Sequence, residues 1–184
     1  PRPETETLVD AILNENLQGK TLLELGTGSG AISISIAQEN KDCFIFATDI
    51  SIKSILVAKQ NAAKFCCENI IFLNHDWNNE WLFPQVDYLI SNPPYVDKEA
   101  TTGKEEGIWH EPEKALFSKD KGLSDLKLIL SKGKNFLNEN GKVYLEHAPD
   151  QYEELNKFAV EKGYPNFSNL NDLNGDKRVS IYQC

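Results

Sequence analysis

The chain contains no methionine and begins at Pro1. It therefore does not open at an initiation codon, and a segment upstream of Pro1 is expected. Positive charge is scarce: 19 lysines and arginines stand against 28 acidic residues, giving a net charge of −9 and an isoelectric point near 4.9. An extended grip on a phosphate backbone needs a basic surface, so the balance favours a small-molecule or protein partner over nucleic acid. Cysteine is limited to Cys43, Cys66, Cys67 and Cys184, with no C-x-x-C spacing. Adjacent Cys66 and Cys67 are not expected to pair, and reduced thiols of this kind point to a cytoplasmic protein. His75, His110 and His147 are scattered without metal-ligand spacing, so no metal is expected. No apolar run approaches the ~20 residues of a membrane span, and no membrane partner is expected. Repeats, low-complexity tracts and dividing linkers are also missing. The 184 residues suit one α/β domain, residues 1–184, with a full core.

Among what is present, five residues stand out: Ser91-Asn92-Pro93-Pro94-Tyr95. They follow Val86-Asp87-Tyr88-Leu89-Ile90, a β-branched and aromatic run that reads as a buried strand. Two consecutive prolines cannot continue a strand, and each pushes the residue before it into extended backbone. Asn92 is thus held stiff just past a strand end, which is where ligands bind in open α/β sheets. An amide oxygen, carbonyls without competing N–H groups and a phenol suit a planar group bearing N–H donors. An ordinary turn is the alternative, since Asn-Pro and Pro-Pro are common turn dipeptides.

The rest of the chain alternates strand and helix. Thr5 is the expected N-cap of a first helix with Leu8, Val9, Ile12 and Leu13 on its apolar face. Thr21–Leu25 reads as a strand, Ala31–Gln38 as a helix, Asp42–Thr48 as a strand ending at Asp49. Ser51 caps a helix whose inner face is expected to carry Ile55, Leu56, Ala58 and Ala62. Ile70–Leu73 is a strand ending at His75-Asp76-Trp77. After a long polar segment, Val96–Lys121, come a helix over Leu123–Leu137, a strand over Gly141–Glu146 and a helix over Asp150–Lys162. Tyr164–Leu170 and Arg178–Tyr182 form a closing hairpin. This order implies a Rossmann-like, mostly parallel seven-stranded sheet with an antiparallel last strand and helices on both faces.

Gly26-Thr27-Gly28-Ser29-Gly30 lies at the first strand-to-helix turn. It fits both the dinucleotide fingerprint G-x-G-x-x-A and the E/D-x-G-x-G-x-G pattern of S-adenosylmethionine enzymes. Both classes place an acid at the end of the next strand, where Asp49 stands. Three features favour S-adenosylmethionine. Glu24, just before the loop, suits a sulfonium and an amino group but repels pyrophosphate. Asp76 and Trp77 can frame an adenine. Asn92–Tyr95 ends the fourth strand, beside the cofactor's reactive end.

Asn-Pro-Pro-Tyr at this place is the signature of amino- and amide-nitrogen methyltransferases. The chain resembles the release-factor glutamine methyltransferases from Pro-Arg-Pro-Glu-Thr-Glu at its start, through Leu-Gly-Thr-Gly-Ser-Gly, Asp49, Asp76-Trp77 and Ser-Asn-Pro-Pro-Tyr, to Glu111-Pro112 and Leu145-Glu146-His147. The resemblance implies methyl transfer from S-adenosyl-L-methionine, with S-adenosyl-L-homocysteine as product, to the glutamine amide of the Gly-Gly-Gln loop of a peptide chain release factor. It implies cofactor contacts from Gly26, Thr27, Gly28, Ser29, Gly30, Asp49, Trp77 and Asn92, joined by Asp76. Asn92, Pro93, Pro94 and Tyr95 would hold the glutamine. It also implies a helical N-terminal domain that this chain lacks. A monomer is expected. The alternative is a nucleic-acid base methyltransferase, because the same four residues suit a flipped adenine or guanine. Arg2, Thr5 and Glu111 could border the pocket, while His147 reads as structural.

Overall fold

A computed structural model describes residues 3–94, 96–97, 117–118 and 122–184. Helix α1 spans Pro3–Leu13 and is followed by β1 (Thr21–Leu25), α2 (Ala31–Glu39), β2 (Phe44–Asp49), α3 (Ile52–Lys64), β3 (Ile70–Asn74) and β4 (Val86–Ser91). Val96–Asp97 (β5) pairs in parallel with Phe117–Ser118 (β6) as a separate small ribbon. Then come α4 (Ser124–Gly133), a 3-10 turn over Lys134–Phe136, β7 (Leu137–Glu146), α5 (Tyr152–Glu161), β8 (Asn166–Asn171) and β9 (Lys177–Gln183).

The main sheet has seven strands in the order β3-β2-β1-β4-β7-β9-β8, with β9 antiparallel to both neighbours. Period-2 alternation splits the central strands between two cores. Leu22, Ile45, Ile90 and Tyr144 face α1, α2 and α3, while Leu23, Leu89, Val143 and Leu145 face α4 and α5. Ile32, Ile34 and Ile36 alternate like a strand in sequence, yet all three are buried along α2. A helix pressed between the sheet and two other helices can be apolar on most of its circumference.

Four local expectations change. Thr5 is not an N-cap: α1 begins at Pro3, a residue suited to the first helical position, and Thr5 lies buried inside the first turn. Leu56 is 56% exposed, because it falls off the Ile55–Ala58–Ala62 stripe. The helix expected to reach Leu137 ends at Gly133, and Leu137 starts β7, which is longer than expected. Tyr164 precedes β8 rather than opening it; its buried hydroxyl donates to the Leu130 carbonyl of α4 at 3.0 Å.

Glu15, just past α1, ties that helix to the sheet. Its carboxylate accepts from Lys142 Nζ and Tyr144 Oη, both at 2.6 Å, and from Tyr88 Oη at 3.4 Å. Burial alone would raise its pKa, but the hydrogen bonds from Lys142, Tyr144 and Tyr88 and the Lys142 charge hold it below the ordinary 4.5. Burial, reinforced by Glu15, pushes Tyr88 up to about 12. The stabilisation from Glu15 is therefore complete above pH 4.5 and is lost as pH falls through the lowered folded value. Thermal melts across the carboxylate range should fall less steeply on acidification in Glu15→Gln than in the wild type. Parallel curves would exclude Glu15 as a titrating tie.

Candidate functional site

The chain runs outward from β1 to β2 and β3, then returns to lay β4 on the other side of β1. Such a reversal opens a crevice beyond the carboxyl ends of the two strands. The glycine loop leaves β1 there and Asn92 leaves β4 there. Register pairs Leu25 with Ser91, and the buried Ser91 hydroxyl donates to the Leu25 carbonyl at 2.7 Å. The two loops thus start from one hydrogen-bonded point.

The loop's shape is set by β2. Gly26 and Thr27 donate their N–H groups to the Thr48 carbonyl at 2.9 and 2.8 Å. The Gly28 N–H donates to Asp49 Oδ2 at 2.9 Å, and the Ser51 N–H donates to Asp49 Oδ1 at 2.8 Å. Both oxygens of Asp49 keep lone pairs for a further donor. Gly26 and Gly28 have φ of +78° and +56°, a region costly for residues with a Cβ. A Cβ on Gly28 would meet nothing within 4 Å, whereas one on Gly26 would lie 3.1 Å from the Trp77 ring.

The five loop residues divide in two. Gly26, Gly28 and Ser29 reach the surface. Thr27 is buried, its hydroxyl donating to Glu24 Oε2 at 2.7 Å, and Gly30 is buried where a Cβ would crowd Ile34 and Ala58. These two shape the loop from within.

Glu24 differs from its expected role toward a sulfonium. It is 1% exposed, on the strand face covered by α2, and Oε2 accepts from the hydroxyls of Thr27 and Ser33. Oε1 has no partner. Burial raises its pKa above the carboxylate range, against the lowering by the Ser33 and Thr27 hydrogen bonds. The acid anchors the first turn of α2.

Trp77 packs over Gly26 and donates Nε1–H to Asp125 Oδ1 of α4 at 3.2 Å. Asp76 Oδ1 accepts from the backbone N–H and the side-chain amide of Asn78 at 2.9 and 2.8 Å. The Asn78 N–H holds this carboxyl below its usual range. Trp81 is core, its Nε1–H donating to the Trp77 carbonyl at 2.9 Å.

Asn92 is half-buried, and Pro93 and Pro94 are buried. Asn92 Nδ2 donates to Thr5 Oγ1 at 3.2 Å, and Thr5 Oγ1 donates to Glu146 Oε2 at 3.0 Å. Glu146 ends β7 fully buried. The sequence alone offers Thr5 a capping or a bordering role and Glu146 none. The two lie 141 residues apart, beyond any spacing rule. His147 is structural: fully buried, with Nδ1 2.8 Å from the Ala148 carbonyl and Nε2 2.7 Å from Ser180 Oγ, and burial lowers its pKa. Tyr95, Arg2 and Glu111 lie outside the described residues.

The sheet order and the paired loops define a class I methyltransferase fold of the Rossmann-like kind. A solved methyltransferase structure from Pyrococcus furiosus matches it with a TM-score of 0.72 at 19% identity, covering 100% of this chain and 83% of that one. The sequence model of the methyltransferase small domain family matches residues 3–120, and the chain belongs to that family. It is also 33% identical, over 182 residues and 98% of its own length, to the release factor glutamine methyltransferases of Shewanella oneidensis and Escherichia coli. It spans 64% and 66% of the length of those two relatives.

The loop geometry sets an order of tolerance. Gly28→Ala should cost about 1–2 kcal/mol through backbone strain alone. Gly26→Ala should cost more, because Trp77 must also give way. Urea denaturation measures both, and equal midpoints would exclude crowding by the indole.

Proposed function

We propose that residues 1–184 form the catalytic domain of an S-adenosylmethionine-dependent methyltransferase. Its substrate is the side-chain amide nitrogen of the glutamine in the Gly-Gly-Gln loop of a peptide chain release factor. The observation that carries this reading is the junction of the glycine loop and Asn92-Pro93-Pro94 at one strand-end crevice, in a chain 33% identical to release factor glutamine methyltransferases over nearly all its length. The enzyme acts as a cytoplasmic monomer, and a helical N-terminal domain of the whole protein aids docking of the release factor.

The residues fit the cofactor. The backbone of Gly26, Gly28 and Ser29 is accessible, and the open space at Gly28 is a cradle that a side chain would fill. Asp49 would take the ribose hydroxyls with its remaining lone pairs. Asp76 and Trp77, which follow the end of β3, would flank the adenine, Trp77 lying beside Gly26. S-adenosylmethionine, when bound, supplies an electrophilic methyl group on a sulfonium.

The protein's own task is alignment. An amide nitrogen is a poor nucleophile because its lone pair is delocalised into the carbonyl. Asn92 Oδ1 and the Pro93 carbonyl each accept one N–H of the glutamine amide, which turns the nitrogen's face toward the methyl group. Pulling on both N–H bonds favours the positive charge that develops on nitrogen. Tyr95 packs against the amide plane. Orientation of this kind lowers the barrier without a covalent step. A substrate presenting a hydroxyl or carboxylate leaves an acceptor unpaired, which such sites reject strongly.

Calorimetry should show binding of S-adenosylmethionine and not of NAD, and methyl transfer should require the glutamine of the Gly-Gly-Gln loop. Asn92→Ala should lose roughly 2–4 kcal/mol of transition-state stabilisation, comparable with removing one oxyanion-hole donor, while cofactor affinity falls much less. Turnover near wild type in that variant would sink the mechanism.

A further inference from the structure

An asparagine amide presents a donor on one side and an acceptor on the other, and a half-turn about its last torsion exchanges them. Pro93 and Pro94 fix the backbone around Asn92 but have no N–H groups to hold its side chain. Something else must decide which edge faces the crevice.

The decision is made on β7 and α1. A carboxylate only accepts hydrogen bonds. Thr5 gives its single hydroxyl proton to Glu146 Oε2 at 3.0 Å. The Thr5 oxygen can then only accept, so the edge of Asn92 that meets it at 3.2 Å must be the NH2 edge. The opposite edge, Oδ1, is left for the crevice. Thr5 is 5% exposed and Glu146 0%, so neither is readily re-paired by water. A flipped amide would set two acceptors face to face at a buried site, where an unmade hydrogen bond is costly.

We propose that Glu146 and Thr5 are positioning residues that fix the polarity of Asn92 and thereby restrict the site to substrates that donate N–H groups. The proposal rests on the reading of Asn92 as an acceptor for the glutamine amide. It makes an unusual claim about Glu146→Gln, a change of similar size. A glutamine can turn its own NH2 toward Thr5. The hydroxyl then donates the other way, and Asn92 is free to present its NH2 edge to a substrate that has no acceptor there.

The test combines kinetics with a direct view of the amide. Turnover and KM for a release factor, the Kd for S-adenosylmethionine and the exchange of the Asn92 side-chain amide protons by 15N NMR are measured in wild type, Thr5→Val, Thr5→Ser and Glu146→Gln. Thermal melts confirm that each is folded. Thr5→Val removes the hydroxyl at nearly constant volume. It should lower kcat roughly tenfold, the effect of about one hydrogen bond, with cofactor Kd changed less than about twofold and amide exchange accelerated. Thr5→Ser should recover most of the turnover and the slow exchange. Glu146→Gln should fold and bind cofactor but turn over as slowly as Thr5→Val. Unchanged kcat and exchange in Thr5→Val would overturn the proposal. So would a Thr5→Ser protein as impaired as Thr5→Val, since the methyl group and not the hydroxyl would then matter. A wild-type protein that binds cofactor but methylates no glutamine would instead overturn the functional reading. The amide exchange of wild type against Thr5→Val then decides on the relay alone.

Discussion

The site depends on the parallel pairing of β1 with β4. Four register pairs, from Leu22 with Tyr88 to Leu25 with Ser91, bring together two segments more than sixty residues apart in the chain. The Ser91 hydroxyl closes the pairing on the last carbonyl of β1. Without that neighbour relation the glycine loop and Asn92 would be two unrelated turns. With it, a backbone cradle and a rigid amide open into one crevice. The cost of forming a contact so distant in sequence is offset by the core on both faces of these strands, where Leu22, Leu23, Leu89 and Ile90 are fully buried.

Around that pair the site is built by backbone groups steered by buried acids and hydroxyls. Asp49 holds the loop from β2 through the Gly28 N–H, and Glu24 holds the start of α2 through Ser33 and Thr27. Neither acid lies loose in solvent. This is how an acidic chain devotes carboxylates to shape while leaving glycine backbone exposed.

Much of this was legible in the chain. The strand-helix alternation, the closing hairpin and the two loops follow from periodicity, glycine and proline, whose effects are local. The hairpin turn is held by Asp172, whose Oδ1 accepts the Asn174 and Asp176 N–H groups and whose Oδ2 accepts from Arg178 Nε. What sequence could not give was the direction of side chains. Glu24 reads as an acid facing a ligand, but strand parity turns it toward α2. Thr5 reads as a cap, but Pro3 already starts the helix, and the hydroxyl finds a carboxylate on the last residue of β7. Leu56 reads as core until the stripe is drawn around the helix. Each of these is settled by packing between elements, which no local pattern encodes.

Helix α1 and the turn that follows it are fastened to one strand at two places. Thr5 meets Glu146 at the carboxyl end of β7, and Glu15 meets Lys142 and Tyr144 lower on it. From Thr5 to the end of α1 at Leu13 the helix climbs about 12 Å, and the four strand steps from Lys142 to Glu146 span about 13 Å, so the two rulers agree. The helix works as a gauge block laid along the strand, with its length and its rotation both prescribed. Losing or gaining a single residue between the fasteners would swing Thr5 by about 100° around the axis and move it off Asn92, although no atom of the crevice itself had been altered.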